Sequence, residues 1–208
     1  MKILLADDHA VVRSGLKQIL TEVFSRATYG EARNGQEALD LVWKQNWDVV
    51  VLDITMPGRS GLDVLRQIKE SKPKLPVLVL SMHPENQFAT RVLKCGASGY
   101  MTKESAPAEL VGAIKSVLAG RRYVSATLAE SLAASLSTNH KAPQDTLSDR
   151  EFQALRLIAS GKTVSEIARE LSLSVKTIST YRARILEKMG LKNNAELMRY
   201  AMQHRLVE

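Results

Sequence analysis

Short apolar runs recur through the first 120 residues, and the stretches between them place apolar residues every three or four positions. The runs Ile3 to Ala6, Thr28 to Ala32, Val49 to Asp53, Val77 to Ser81 and Ser98 to Met101 predict strands. Val11 to Val23 puts Leu16, Ile19, Leu20 and Val23 on one stripe, and Gln36 to Gln45 does the same with Ala38, Leu39 and Val42, so both predict helices. Turn-forming residues mark the seams: Asn34-Gly35, Pro57-Gly58, Ser60-Gly61, Pro76, Gly96 and Gly99. Strands that are largely apolar, the third and fourth nearly throughout, alternating with helices, predict an α/β doubly wound five-stranded parallel sheet covered on both faces. This first domain is placed at residues 1–120.

The pattern changes after Gly120. Residues 121–146 read as a linker with a short helix, in which Leu128, Leu132 and Leu136 recur at four-residue spacing before the polar run Ser137 to Pro143. The leucine row lasts too few turns for a coiled coil. Residues 147–208 are helical throughout and well punctuated. Ser148 with Glu151, and Thr163 with Glu166, fit the capping box; Asn193 with Glu196 is a weaker version. Gly161 and Gly190 stand where helices should stop. Four helices result, at about 149–160, 164–171, 175–189 and 194–204. Ser172-Leu173-Ser174 separates the second from the third by the length a helix-turn-helix needs. The second domain is therefore a small all-α four-helix helix-turn-helix unit.

The candidate chemistry sits at the ends of the predicted strands. Asp7 and Asp8 follow the first, Asp53 closes the third, Ser81 closes the fourth and Lys103 follows the fifth. In an open parallel sheet all these ends open on one edge, where ligands bind. Three carboxylates, a hydroxyl and an ammonium gathered there suit a divalent cation and a phosphoryl group. A carboxylate attacks a phosphodonor poorly because both are anionic, and a cation between them removes the repulsion. Asp8 and Asp53 are expected as direct ligands, Asp7 through a water, and the backbone carbonyl of Thr55 as a further oxygen. Such an oxygen-rich set favours Mg²⁺ over Zn²⁺. Lys103 and Ser81 would meet the phosphoryl oxygens, and phosphoryl transfer asks for little more than positioning and charge.

Charge sharpens the division of labour. Residues 1–120 carry 15 basic and 13 acidic side chains, whereas residues 147–208 carry 11 and 7, a surplus of four on about half the length. That surplus favours a polyanionic partner for the second domain. The single cysteine, Cys95, excludes an internal disulfide framework. No apolar stretch approaches membrane-spanning length and the first residues are too short for a signal peptide, so no membrane association and a cytoplasmic location are expected.

Residues 1–120 resemble the receiver domain of two-component response regulators (a CheY-like, flavodoxin-like fold). The matching segments are Leu5-Ala6-Asp7-Asp8-His9, Val51-Leu52-Asp53-Ile54-Thr55-Met56-Pro57-Gly58 and Gly96-Ala97-Ser98-Gly99-Tyr100-Met101-Thr102-Lys103. The resemblance implies that Asp53 accepts phosphate from a sensor histidine kinase. It also implies a switch pair, Ser81 and Tyr100, in which the hydroxyl moves toward the phosphoryl group and the ring turns inward. Many receivers have proline directly after the lysine; here Glu104 stands there and Pro107 begins the next helix.

The second domain resembles the LuxR-type reader of the NarL/FixJ group. It matches in Leu147-Ser148-Asp149-Arg150-Glu151, Ile158-Ala159-Ser160-Gly161, Ile167-Ala168-Arg169-Glu170-Leu171 and Ser174-Val175-Lys176-Thr177-Ile178-Ser179-Thr180-Tyr181. On its third helix Val175, Ile178, Ile185, Leu186 and Met189 form the expected core stripe, and Lys176, Thr177, Ser179, Thr180, Ala183, Arg184 and Lys188 face outward. A recognition helix shows its first two turns to base edges and flanking groups to phosphates. Ser179, Thr180 and Ala183 are accordingly expected at bases, with Lys176, Thr177, Arg182 and Lys188 on phosphates. Such small side chains leave part of the specificity to DNA shape or a thymine methyl.

Together these features point to a DNA-binding transcriptional regulator controlled by phosphorylation of Asp53, pairing as a homodimer on two-fold sites when phosphorylated, and without catalytic residues of its own. A phosphatase of the haloacid dehalogenase type would need a second aspartate two positions after the nucleophile, where this chain has Thr55. A constitutive DNA binder with a degenerate receiver is the other alternative, and here no pocket residue is missing.

Overall fold

The computed structural model describes all residues except 57–58, 83–84, 131–142, 205 and 208, and the side chains of all of these but 85–87 and 145. The chain forms two compact units, Met1–Thr138 and Asn139–Glu208.

In the first unit five strands, β1 (Lys2–Ala6), β2 (Thr28–Ala32), β3 (Val49–Asp53), β4 (Val77–Ser81) and β5 (Gly99–Thr102), alternate with α1 (Ala10–Val23), α2 (Gly35–Lys44), α3 (Gly61–Ser71), α4 (Glu85–Lys94) and α5 (Ala106–Leu118). The sheet order is β2-β1-β3-β4-β5, with every pair parallel. Every residue of β3 and β4 is buried, as a strand covered on both faces requires. Successive side chains point to opposite faces. Ile3, Leu5, Val49, Val51, Leu78, Leu80 and Met101 thus share one core with Leu16 and Leu20 of α1 and with Leu110, Ala113, Ile114 and Val117 of α5. The intervening strand residues Leu4, Val50, Leu52 and Val79 are equally buried, as are Ala38, Leu39 and Val42 of α2.

Two positions on α1 depart from the amphipathic reading. Val23 is 48% exposed, whereas Arg13 is buried at 6%. The period locates an apolar stripe but not a charged side chain whose partners lie on other elements. β5 begins at Gly99 rather than Ser98, whose hydroxyl oxygen accepts from the Val77 amide at 3.3 Å. All described peptide bonds are trans.

The free edge of β5 is covered by the chain that follows α5. The Tyr123 amide donates to the Ser98 carbonyl at 2.9 Å, and the Tyr100 amide donates to the Tyr123 carbonyl at 3.2 Å. Helical turns resume at residues 126–130, where Ser125 accepts from the Leu128 amide and Leu128 is buried. The other two leucines of the expected short helix, Leu132 and Leu136, lie outside the described residues.

The second unit holds α6 (Asp149–Ala159), α7 (Val164–Glu170), α8 (Val175–Met189) and α9 (Asn194–Gln203), preceded by a 3₁₀ turn at Pro143–Thr146. Ser148 with Glu151 and Thr163 with Glu166 form complete capping boxes. Asn193 accepts from the Glu196 amide, and the Glu196 carboxylate accepts from the Lys192 amide one residue before the cap. Gly161 and Gly190 take positive φ angles of 83° and 65° just past helix ends. Between α7 and α8 the turn runs through Ser172 at φ 54°, and Ser174 caps α8 by accepting from the Thr177 amide.

Candidate functional site

β1 and β3 lie side by side, so the residues that end them meet at one edge of the sheet. Oxygens of Asp7, Asp8 and Asp53 and a ring nitrogen of His9 lie within 4.8 Å of one another. Lys103, arriving from the end of β5, places its ammonium 2.7 Å from Asp53 Oδ2 and 2.6 Å from Asp7 Oδ2. The side chains of Asp7, Asp53 and Lys103 are 2%, 0% and 8% exposed, so this charge cluster is almost dry. Asp8 is more open, at 28%.

The loop backbone holds the carboxylates in place. The Thr55 amide donates to Asp53 Oδ1 at 2.8 Å, and the His9 amide donates to Asp7 Oδ1 at 2.8 Å. The Lys103 amide donates to the Ser81 carbonyl at 2.8 Å, which ties the lysine to the end of β4, and Ser81 itself is fully buried. Tyr100, the other half of the expected switch pair, is also fully buried, its ring inside the domain. Gly61 brings α3 against the loop after β3: a Cβ there would lie 2.3 Å from Ile54 Cα and 2.6 Å from the Asp53 carbonyl oxygen.

Burial raises the Asp53 carboxyl above the ordinary carboxylate value, a push that Lys103 and the Thr55 amide only partly offset. For Lys103 burial works downward, but Asp53 and Asp7 outweigh it and the ammonium is held above its ordinary value. Three carboxylates around one ammonium leave negative charge uncompensated. Moreover, Asp7 Oδ2 and Asp8 Oδ1 are buried and accept no well-directed hydrogen bond among the described residues. The Lys103 ammonium beside Asp7 Oδ2 does not balance the cluster, and a set of carboxylate oxygens carrying excess negative charge suits a hard divalent ion.

Two neighbours of the cluster escaped the sequence reading. His9 Nδ1 lies 2.9 Å from Asp8 Oδ1 and 3.3 Å from Asp7 Oδ1, on a ring that is 62% exposed. Arg13 donates from Nη1 to the Asp7 carbonyl at 2.6 Å, and its Nε lies 3.5 Å from Glu31 Oε2. The only sequence signal for Arg13 is a charge four residues before Lys17, which also reaches Glu31, at 2.8 Å.

In the second unit Ile178 and Ile185 of α8 are fully buried, whereas Ser179, Thr180, Ala183, Arg184, Lys176 and Lys188 are exposed and Thr177 and Arg182 are half-buried. Val175, expected in the core stripe, is instead 52% exposed, although Ile178 in the same turn is fully buried. Two of the residues expected on phosphate have partners inside the unit. Arg182 donates from Nε to Asn194 Oδ1 at 2.6 Å, and Lys188 Nζ sits 2.6 Å from Glu151 Oε2.

Comparison with known proteins agrees with both halves of this description. The model of the response regulator receiver domain matches residues 3–115, and that of bacterial regulatory proteins of the luxR family matches residues 145–201. The chain belongs to the response regulators of the NarL/FixJ group, a receiver joined to a LuxR-type helix-turn-helix domain. It is 39% identical to the response regulator GacA of Pseudomonas aeruginosa, covering 100% of this chain and 98% of the relative. It is 37% identical to UvrY of Escherichia coli, covering 99% and 95%. Among solved structures it is similar to RcsB of Salmonella enterica serovar Typhimurium bound to promoter rprA with the phosphomimetic BeF₃⁻, at a TM-score of 0.65 and 30% identity over 96% of this chain and 98% of that one. An RcsB–DNA complex matches at a TM-score of 0.60 and 28% identity, covering 100% and 99%. No helix among the described residues is long and apolar enough to cross a membrane.

Proposed function

We propose that the chain is a cytoplasmic transcriptional regulator whose grip on double-stranded DNA is set by phosphorylation of Asp53 by a sensor histidine kinase. The observation that carries this reading is the dry triad Asp7–Lys103–Asp53, at 2.6 and 2.7 Å, on a chain that also bears a capped helix-turn-helix. Residues 1–120 act as the receiver, 121–146 as the linker and 147–208 as the reader.

An oxygen of Asp53 attacks phosphorus, and the bond from phosphorus to the donor's nitrogen breaks. Lys103 stays within reach of the oxygens that gain charge, and Ser81 presents a hydroxyl from the neighbouring strand end. Mg²⁺ held by Asp7, Asp8, Asp53 and the carbonyl of Thr55 would supply neutralisation of the transferring oxygens. Thr55 leaves the chain without the second aspartate that a phosphatase of this chemistry uses as general acid, so the phosphoryl group stays as a signal. Ser81 and Tyr100 then carry the change away from the pocket, and two phosphorylated chains pair on a two-fold site.

On DNA, Ser179, Thr180 and Ala183 face bases, while Lys176, Thr177, Arg182 and Lys188 meet phosphates. Arg182 keeps its two terminal nitrogens without a partner among the described residues, and Asn194 restrains the side chain beforehand. A restrained side chain loses less rotamer freedom on binding.

The test is phosphorylation with a small phosphoramidate and Mg²⁺, read by intact mass. Wild type should gain one phosphoryl group and bind operator DNA more tightly, and Asp53→Asn should do neither. Label on another residue, or equal DNA affinity in both states, would refute the proposal.

A further inference from the structure

Two exposed hydroxyls of α8, those of Ser179 and Thr180, already donate their protons within the helix. Ser179 Oγ lies 2.9 Å from the Val175 carbonyl oxygen and Thr180 Oγ1 lies 3.0 Å from that of Lys176, each one turn back on α8. A carbonyl can only accept, so in both pairs the hydroxyl is the donor. What these two residues turn outward is lone pairs, together with the methyl of Thr180. The exposed side chains beside them are Ala183, a single methyl, and Val175, an isopropyl group that is 52% exposed. The first two turns therefore present an acceptor-and-methyl surface, with the long donor side chains Lys176 and Arg184 alongside it.

We infer that the base step under Ser179 and Thr180 is read as adenine and thymine, by hydroxyl oxygens accepting from the adenine amino group and by methyl contact with thymine, and that guanine is refused there. This rests on the reading of α8 as the helix that meets base edges. In the major groove adenine offers an N6 amino donor and thymine a C5 methyl, whereas guanine offers only the acceptors N7 and O6. An oxygen whose proton points into its own helix faces guanine acceptor to acceptor. Cytosine shares the amino donor but brings guanine as its partner and has no methyl. Only the A·T pair supplies both a donor and a methyl to this surface. Guanine elsewhere in a half-site falls to the lysine and arginine side chains, which donate.

The experiment uses the full-length protein and a random duplex library, followed by atom-level substitutions in the selected duplex. The step in question is located as the one whose base preference changes in Ser179→Ala or Thr180→Val. There, thymine replaced by uracil should lower affinity about fourfold, the worth of one buried methyl. Adenine replaced by purine lacking the 6-amino group should lower it by a similar factor. Thr180→Ser, which keeps the oxygen and loses the methyl, should abolish the thymine–uracil difference and keep the amino effect; Thr180→Val should do the reverse. Selection of guanine at that step, with a penalty for 7-deazaguanine, would overturn the inference by showing the hydroxyls donating to the base. If Ser179→Ala and Thr180→Val change neither the selected sequence nor affinity while melting normally, α8 is not the base reader, and the broader assignment falls along with the inference.

Discussion

Lys188 near the end of α8 holds its ammonium 2.6 Å from the carboxylate of Glu151, the residue that closes the capping box of α6. The pair spans 37 residues and ties α8 to α6 at one charged point. Glu151 is 3% exposed and Lys188 39%, so the carboxylate depends on this partner more than the lysine depends on it.

Lys188→Met should therefore leave a buried carboxylate short of one donor, although water can partly replace an ammonium so exposed. The expected loss is about 1–2 kcal/mol, read as a lower urea midpoint for the 147–208 unit. The same variant should weaken specific and random DNA alike and reduce the salt slope by roughly 1, because a phosphate contact goes with it. A stability loss with an unchanged salt slope would assign Lys188 to the fold alone.

The same carboxylate gives the reader an acid limit. Burial tends to raise Glu151, but the Lys188 ammonium and the amide and hydroxyl of Ser148 together hold it below the ordinary 4.5. A carboxyl depressed in the folded state contributes stability that is present above the unfolded value and is lost as pH falls through the folded one. Denaturant midpoints of the second unit should thus be flat near neutrality and fall below about pH 4.5, and the fall should shrink in Glu151→Gln.

Cation binding should be visible without any phosphodonor. Adding Mg²⁺ should raise the melting temperature of the first unit and chelation should reverse it, with about 2.7 kcal/mol gained at roughly 100 times Kd. Asp8→Asn should cut this gain sharply while melting no lower than wild type in the absence of the ion, since it removes one of three mutually repelling carboxylates. A Mg²⁺ shift that survives in Asp8→Asn would take that residue out of the ligand set.

Gly61→Ala tests how tightly the loop after Asp53 is packed. The new methyl would fall inside contact distance of the Ile54 Cα and the Asp53 carbonyl, both backbone atoms that no side-chain rotation can relieve. The loop must shift, at an expected cost of about 1–3 kcal/mol, and phosphorylation by a small phosphodonor should slow severalfold as Asp53 moves. Normal melting with normal phosphorylation would show that α3 can slide to make room.

Much of this architecture could be read from periodicity and punctuation. The strands, the sheet class and both capping boxes rest on local rules, since a cap joins residues three apart and a buried strand announces itself in five letters. The convergence of Asp7, Asp8, Asp53 and Lys103 followed from one topological fact, that parallel strand ends share an edge. What escaped depends on partners distant in sequence. Arg13 is buried because Asp7 and Glu31 draw its guanidinium inward, and Lys188 is restrained because Glu151 lies across the helix bundle. Val175 fits the apolar period of α8, yet the period cannot say where neighbouring helices stop covering that face.

Tyr123, near the start of the linker, bonds to the backbone of β5's outer rim at Ser98 and at Tyr100. The exit path is thus stapled to the strand that bears Tyr100 by peptide groups rather than by side chains. A shift of that strand would therefore have to carry the Tyr123 backbone with it or break these two bonds, and among side-chain substitutions only proline, at Tyr123 or at Tyr100, removes one of the donors. Replacing the Tyr123 amide by an ester removes the donor to Ser98 while leaving every side chain, and the bond from the Tyr100 amide to the Tyr123 carbonyl, in place.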